Sequence, residues 1–218
     1  AERNGGISAN HKLAFGQVES PYGLYIGGDD LVSSPDLVEQ IGRCLAKHPA
    51  AIAKVAVRAL YRPSGQVQDM YGRLNRFFAY GAKKQYRMLA TYGNFLYAGP
   101  GTVLDINLLK SINAFDERFR TFEDYPLFLN FLAAGHAIRF LPVEGIFWVR
   151  SEHSLSAGGF KHLKGRFDEE LDLMRSDFIL GGPVRLTMID RLVLSSKSRP
   201  FLYRCFQKAS RIMRGFPA

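Results

Sequence analysis

Cysteine, tryptophan and acidic residues are scarce in this chain, and no stretch of it stays apolar for long. Its 218 residues include two cysteines, one tryptophan and 20 acidic residues against 29 Lys and Arg. Cys44 and Cys205 stand far apart with no metal-ligand spacing. That pattern argues against a thiolate metal site or a disulfide scaffold, and for free, mostly buried thiols in a reducing compartment. No apolar run is long enough to cross a bilayer, and no signal-peptide pattern appears. Internal repeats and low-complexity tracts are also missing, which removes solenoid architectures from consideration.

What is present is the material for one sizeable core. Hydrophobic residues make up 47% and charged residues 22%, which is not a disordered composition. The formal net charge of +9 favours anionic partners such as nucleotide diphosphates or lipid headgroups. No helix-turn-helix, zinc or RNA-recognition motif accompanies that charge, so nucleic acid is not an expected partner. The chain opens at Ala1 in Glu2-Arg3-Asn4-Gly5-Gly6, which reads as the interior of a longer protein.

Periodicity and turn residues predict alternating strands and helices. Ile7 to Phe15 is expected to be helical, capped by Ser8 or Asn10, and Tyr22 to Gly28 a buried strand. Ser33-Ser34-Pro35-Asp36 starts a helix carrying Leu37, Val38, Ile41 and Leu45 inward, stopping before Pro49. Ala51 to Tyr61 reads as a strand ending at the turn Arg62-Pro63-Ser64-Gly65. Gln66 to Ala90 is expected to hold one or two helices with loops. Asn94 to Ala98 reads as a short strand before Gly99-Pro100-Gly101, and Leu104 to Ile112 as strand then helix. A helix from Glu123 to Ala134 turns Leu127, Phe128, Phe131 and Leu132 inward and ends at Gly135. Ala137 to Leu141 and Gly145 to Val149 are two further strands. The sum is an α/β class, a mixed sheet flanked by helices.

Two acidic pairs concentrate the chemistry. Gly27-Gly28-Asp29-Asp30 ends the first apolar strand at an exposed acidic corner, a place suited to a hard divalent cation and, through it, a diphosphate. As an isolated signal it reads first as a turn, which is what Gly-Asp clusters usually are. Glu123-Asp124, following Phe115-Asp116-Glu117, opens an apolar helix; an acid there also suits the helix dipole. Gly99-Pro100-Gly101-Thr102 reads either as an acceptor-binding turn or as an ordinary loop. Trp148 and Tyr125 offer faces for a sugar, or simply core.

In their order, four segments resemble the family 2 glycosyltransferases of GT-A fold. They are Asn4-Gly5-Gly6-Ile7-Ser8-Ala9-Asn10, then Tyr25 to Asp30 with Pro35 and Leu37, then Ala114-Phe115-Asp116-Glu117 with Glu123-Asp124-Tyr125-Pro126-Leu127, and finally Arg150 with His153-Ser154-Leu155-Ser156. The resemblance spans Asn4 to Ser156 and implies an inverting transferase that uses Mg²⁺ or Mn²⁺. It implies Asp30 as metal ligand, and Asp29 on the nucleotide ribose or supporting the metal. Asn4 and Ser8 fall in the donor-binding segment, Asp124 is the base, and Glu123 holds acceptor hydroxyls or orients the base. Gly27 stands where the family often has another Asp, Asn130 where it often has Arg, and His153 lies off the usual position. The family's opening nucleotide-binding strand has no counterpart, so the resemblance implies an N-terminally truncated GT-A-like domain. Its implied partners are a nucleotide-sugar donor and a glycan or lipid-linked acceptor, in bacterial surface polysaccharide assembly.

On this reading residues 1–158 form the transferase domain and 159–218 a helical basic extension. Phe160 to Phe178 is expected to be an amphipathic helix with Phe167, Leu171 and Met174 on one face. Between Lys197 and Arg214 there are six bases and no acids. That segment either lies on an anionic membrane surface or packs on the domain with a solvated basic face. The expected location is cytoplasmic, with peripheral contact at the inner face of the membrane through 197–214. Two rival functions remain open: a non-catalytic remnant that binds glycans, and a membrane-surface module.

Overall fold

The computed structural model describes residues 5–72, 74–96, 99–151 and 164–195. Helix α1 (Ile7–Gly16) leads into strand β1 (Tyr22–Tyr25), the Gly27–Asp30 turn and the short strand β2 (Leu31–Val32). Helix α2 (Leu37–Lys47) buries Leu37, Ile41 and Leu45, spaced four apart on one face. Val38, expected inward, is 72% exposed because it follows Leu37 around the helix by one position. Strand β3 (Ile52–Tyr61) is buried on both faces at its start and turns at Gly65 into β4 (Gln66–Asp69), a hairpin arm that the sequence did not disclose. All four residues of β4 are exposed, so no apolar alternation marks it.

Helices α3 (Asn75–Phe78) and α4 (Ala82–Tyr92) follow, then β5 (Thr102–Asp105), α5 (Ile106–Ser111) and α6 (Asp124–Ala133). The residues from Asn94 to Leu96 are not a strand. The Asn94 side-chain oxygen accepts the Leu96 amide at 3.1 Å, a local turn that competes with extended pairing. Residues 97–98 lie outside the described set.

One long strand, β6 (Ile138–Arg150), replaces the two expected. Pro142 and Gly145 look like breakers in sequence, but the β3–β6 ladder shifts register between Lys54 and Val57 and leaves residues 141–143 unpaired with β3. A proline there sacrifices no bond to β3. Gly145 is required by close approach, since a Cβ would come within 2.1 Å of Val55 Cγ2.

The sheet order is β1-β5-β3-β6-β2, with β4 also on β3. The β3–β6 pair is parallel and the other pairs are antiparallel. Helix α7 (Lys164–Leu173) widens into a π-helical turn, Met174–Leu180, before α8 (Met188–Ser195). Met174, Phe178 and Ile179 join the main core, whereas Leu171, expected inward, is 41% exposed. Among the described residues no helix is long and apolar enough to cross a membrane.

Candidate active site

Asp30, Glu123 and Asp124 meet around the hydroxyl of Tyr25, the last residue of β1. That hydroxyl donates to Glu123 Oε1 at 2.6 Å, and its phenol is held well above its ordinary range by burial and then by the charges of Glu123, Asp124 and Asp30. The sheet edge brings this about. β1 pairs with β5, and the Gly101 amide donates to the Tyr25 carbonyl at 2.8 Å, so the strand end is fixed against the Gly99–Thr102 turn. Gly99 must be glycine here, because a Cβ would fall 1.6 Å from Tyr25 Cε1.

The acidic corner is a self-capped turn. The Asp30 amide donates to the Gly27 carbonyl at 3.2 Å, and the Gly27 amide returns to Asp30 Oδ2 at 2.9 Å. The other oxygen, Oδ1, accepts the Val149 amide of β6 at 3.1 Å. Burial pushes Asp30 above the usual carboxylate range, and those two amides pull it back. Asp29 is exposed beside it. Its Oδ1 and Asp30 Oδ2 lie 3.2 and 2.7 Å from where a Gly27 Cβ would sit, so both carboxylates crowd one face of that glycine.

Glu123 and Asp124 open α6, a helix that seven buried residues press into the core. Burial, then the adjacent Glu123 charge, push Asp124 up to about 7, against the pull of Lys54, the Tyr125 amide and Asn94. Asn94 Nδ2 donates to Asp124 Oδ2 at 2.9 Å. Burial likewise raises Glu123, offset by the Tyr25 hydrogen bond. The loop before them is held by Glu170 of α7, which accepts the amides of Arg120 and Thr121 at 2.9 and 3.0 Å and the Thr121 hydroxyl at 2.6 Å. Asp116 binds Arg118 through its amide and guanidinium, and Asn130 Nδ2 donates to the Ala114 carbonyl at 2.9 Å. The Phe115-Asp116 block and Asn130 thus shape the loop leading to the acidic pair.

Ser8 and His11 share a face of α1. Ser8 Oγ is buried with no hydrogen-bond partner among the described residues, and the His11 ring packs 4.5 Å from that of Tyr25. Burial lowers the His11 pKa, with the Asp124 charge opposing. Tyr125 turns inward and donates to the Leu89 carbonyl at 2.8 Å, and the Arg150 guanidinium lies 4.7 Å from the Trp148 ring centre. The Gly99–Thr102 turn is itself buried. Asn4, His153 to Ser156 and the basic segment 197–214 lie outside the described residues.

Sequence reasoning missed the roles of Tyr25, Lys54, Asn94 and His11. Of these, Lys54 carried a signal: a lone charge in the apolar run Ile52-Ala53-Lys54-Val55. A separate cavity of about 880 Å³ between α2 and the start of β6 is lined by Arg43, Lys47, His48 and Arg139. Lys47 there occupies the last turn of α2, where a cation suits the helix terminus.

Among the described residues no group of three or more His, Cys, Asp or Glu side chains is arranged to hold a metal ion. A closed protein site is therefore not formed by them. The acidic corner does fit a cation completed by phosphate oxygens and water, which needs only one or two carboxylates. Each Asp30 oxygen accepts one amide and keeps a lone pair, and Asp29 is exposed next to it.

No protein-family model and no curated protein sequence matches the chain. The fold does have solved counterparts in TarS of S. aureus, a glycosyltransferase. The crystal structure of TarS 1-349 superposes with a TM-score of 0.54 and 13% identity over 96% of this chain and 72% of that one. The crystal structure of TarS superposes with a TM-score of 0.52 and 15% identity, over 95% of this chain and 43% of that one. The chain has a GT-A-like fold, a mixed sheet flanked by helices.

Proposed function

We propose that this chain is the catalytic domain of an inverting glycosyltransferase that moves a sugar from a nucleotide-diphosphate donor to a glycan or lipid-linked acceptor. The observation that carries the reading is the convergence of Asp30, Glu123 and Asp124 around Tyr25, with Asp124 half-buried and raised to about 7. A carboxylate poised near neutral pH suits a general base. In the transfer, Asp124 takes the proton from the acceptor hydroxyl, and that oxygen bonds to the anomeric carbon. The bond from that carbon to the diphosphate oxygen breaks, and the nucleotide leaves with the electron pair.

Asp30 and Asp29 would hold Mg²⁺ or Mn²⁺, which when bound supplies neutralisation of the leaving diphosphate. Glu123, fixed by Tyr25, orients acceptor hydroxyls beside the base. Asp29, exposed beside Asp30, takes the donor's ribose in this reading, and the Ser8 hydroxyl, without a partner among the described residues, supplies a further polar group for the donor. Asn4 stays with the donor-binding role that its segment implies. The net charge of +9 suits an anionic donor and an acceptor presented on a phosphate-bearing lipid. On this reading the protein works on the cytoplasmic side of a bacterial envelope.

The test is release of nucleotide diphosphate from UDP- and GDP-sugars, with Mn²⁺ and with chelator. Metal-dependent turnover that disappears in Asp124→Asn supports the reading. Turnover equal in wild type and Asp124→Asn contradicts it.

A further inference from the structure

Lys54 is the one feature of the site that neither the acidic corner nor the base accounts for. It is the third residue of β3, fully buried, within the run Ile52-Ala53-Lys54-Val55-Ala56-Val57 that holds no other charge. Burying an ammonium costs several kcal/mol unless hydrogen bonds and an opposite charge repay it, and an apolar side chain of similar volume avoids that cost. Burial lowers the Lys54 pKa to about 7, with the Asp124 charge opposing, and a position that retains a lysine under those terms invites a functional account.

Its hydrogen bonds are specific. Nζ donates to the Pro100 carbonyl at 2.9 Å and to Thr102 Oγ1 at 2.8 Å, with the Gly99 carbonyl at 3.5 Å. The rings of Tyr71 and Phe128 flank it, with centroids 5.6 and 5.7 Å from Nζ. These partners are neutral; the anion whose field reaches Lys54 is Asp124. The turn it grips is the one whose Gly101 amide fixes the end of β1 and whose Gly99 carries the Tyr25 ring. Tyr25 in turn holds Glu123.

We propose that Lys54 is a positioning residue with two linked tasks: its ammonium clasps the Gly99–Thr102 turn beneath Tyr25, and it is the buried counter-charge of Asp124. One group thereby ties the placement of Tyr25 and Glu123 to the charge on the base. The proposal rests on the reading of Asp124 as base only for its catalytic consequence; the clasp stands on the bonds to Pro100 and Thr102, and the Phe128 ring against Nζ sets Lys54 beside α6 one turn beyond Asp124. The groups that act on Asp124 are Glu123 beside it, Lys54 on β3, the Tyr125 amide and Asn94 after α4; Asp124 in turn reaches His11 on α1, Tyr25 on β1 and Tyr71 after β4. Of these, Lys54 is the cation that directly favours the ionised carboxylate.

The link must be reciprocal, which makes it measurable without any substrate. Carboxyl ¹³C NMR of the full chain, with the Asp124 resonance assigned by its loss in Asp124→Asn, follows the base in wild type and in Lys54→Met. The Asp124 midpoint is expected to rise by about one pH unit or more in Lys54→Met. The lysine ¹³Cε signal titrating near neutral pH is expected to move down by a comparable amount in Asp124→Asn. That second variant removes a half-buried charge and keeps the side-chain shape, so it holds the test open if Lys54→Met does not fold. Thr102→Val removes one bond of the clasp and keeps the ammonium. It is expected to speed hydrogen exchange at the Gly101 amide about tenfold while leaving the Asp124 midpoint in place.

An unmoved lysine midpoint in Asp124→Asn, or unchanged Gly101 exchange in Thr102→Val, overturns the proposal. With an active donor, the acid limb of the kcat/KM profile of Lys54→Met moves upward with the carboxyl midpoint. Intact coupling in a chain without transferase activity would sink the proposed function and leave the Lys54 assignment standing. Retained activity without coupling would do the reverse.

Discussion

Asp124 must be ionised to accept a proton, and its burial keeps it protonated until the pH approaches about 7. Activity is therefore expected to fall about tenfold per pH unit below that value, read from kcat/KM against pH. Asp124→Asn is expected to lower kcat by about 10²- to 10⁴-fold while leaving nucleotide binding intact. The same residue shapes stability. Its folded value exceeds its ordinary value of 3.8, so between 3.8 and about 7 the native state holds a proton that the unfolded chain has released. Stability from this group is therefore full below about 4 and is lost as pH rises through the window. Urea denaturation at pH 5 and pH 7 should show that loss in wild type and not in Asp124→Asn. At this scale the two acidic pairs were legible because carboxylates in short motifs announce themselves; Ser8, expected as a cap of α1, caps nothing, since Gly6 precedes the helix with no side-chain cap and the Ser8 hydroxyl has no partner among the described residues. Tyr25 was not, since an aromatic ending a strand reads as core until its hydroxyl is seen against Glu123.

Elements matter here through the loops they pin. Glu170 lies on α7, well beyond the segments that carry the family resemblance, yet it receives three hydrogen bonds from Arg120 and Thr121 just ahead of the acidic pair. In Glu170→Gln one acceptor oxygen becomes a donor facing a donor. The expected cost is about 1–3 kcal/mol in chemical denaturation, with activity falling as Glu123 and Asp124 lose their register. Gly99→Ala places a methyl inside the Tyr25 ring and is expected to destabilise by about 1–3 kcal/mol, read from the same denaturation curves. Helix α6 was readable from its apolar period and from Gly135, whose φ of +93° ends it. Strand β6 was misread as two because Pro142 and Gly145 signal breaks. Only the ladder shows that the proline falls in a register shift and that the glycine admits Val55. Strand β4 left no trace in the sequence, because a fully exposed hairpin arm is defined by its partner and not by burial.

Across the whole molecule, sheet topology does what no local motif can: it brings residues 25, 30, 54 and 123–124 into one site. The order β1-β5-β3-β6-β2 sets the end of β1 beside the turn clasped from β3, and β6 supplies the amide that orients Asp30. The fold class was expected from alternating strands and helices, and the TarS superpositions agree with it. Donor and acceptor identity were not legible, since they depend on pocket shape and not on the motif residues. The central claim is a working, metal-dependent donor site at the acidic corner. Calorimetric titration of this chain with UDP and GDP, with and without Mn²⁺, tests it most directly. The account predicts nucleotide binding that requires Mn²⁺ and is lost in Asp30→Ala; binding that is indifferent to both the metal and Asp30, or no binding of either nucleotide, would contradict it.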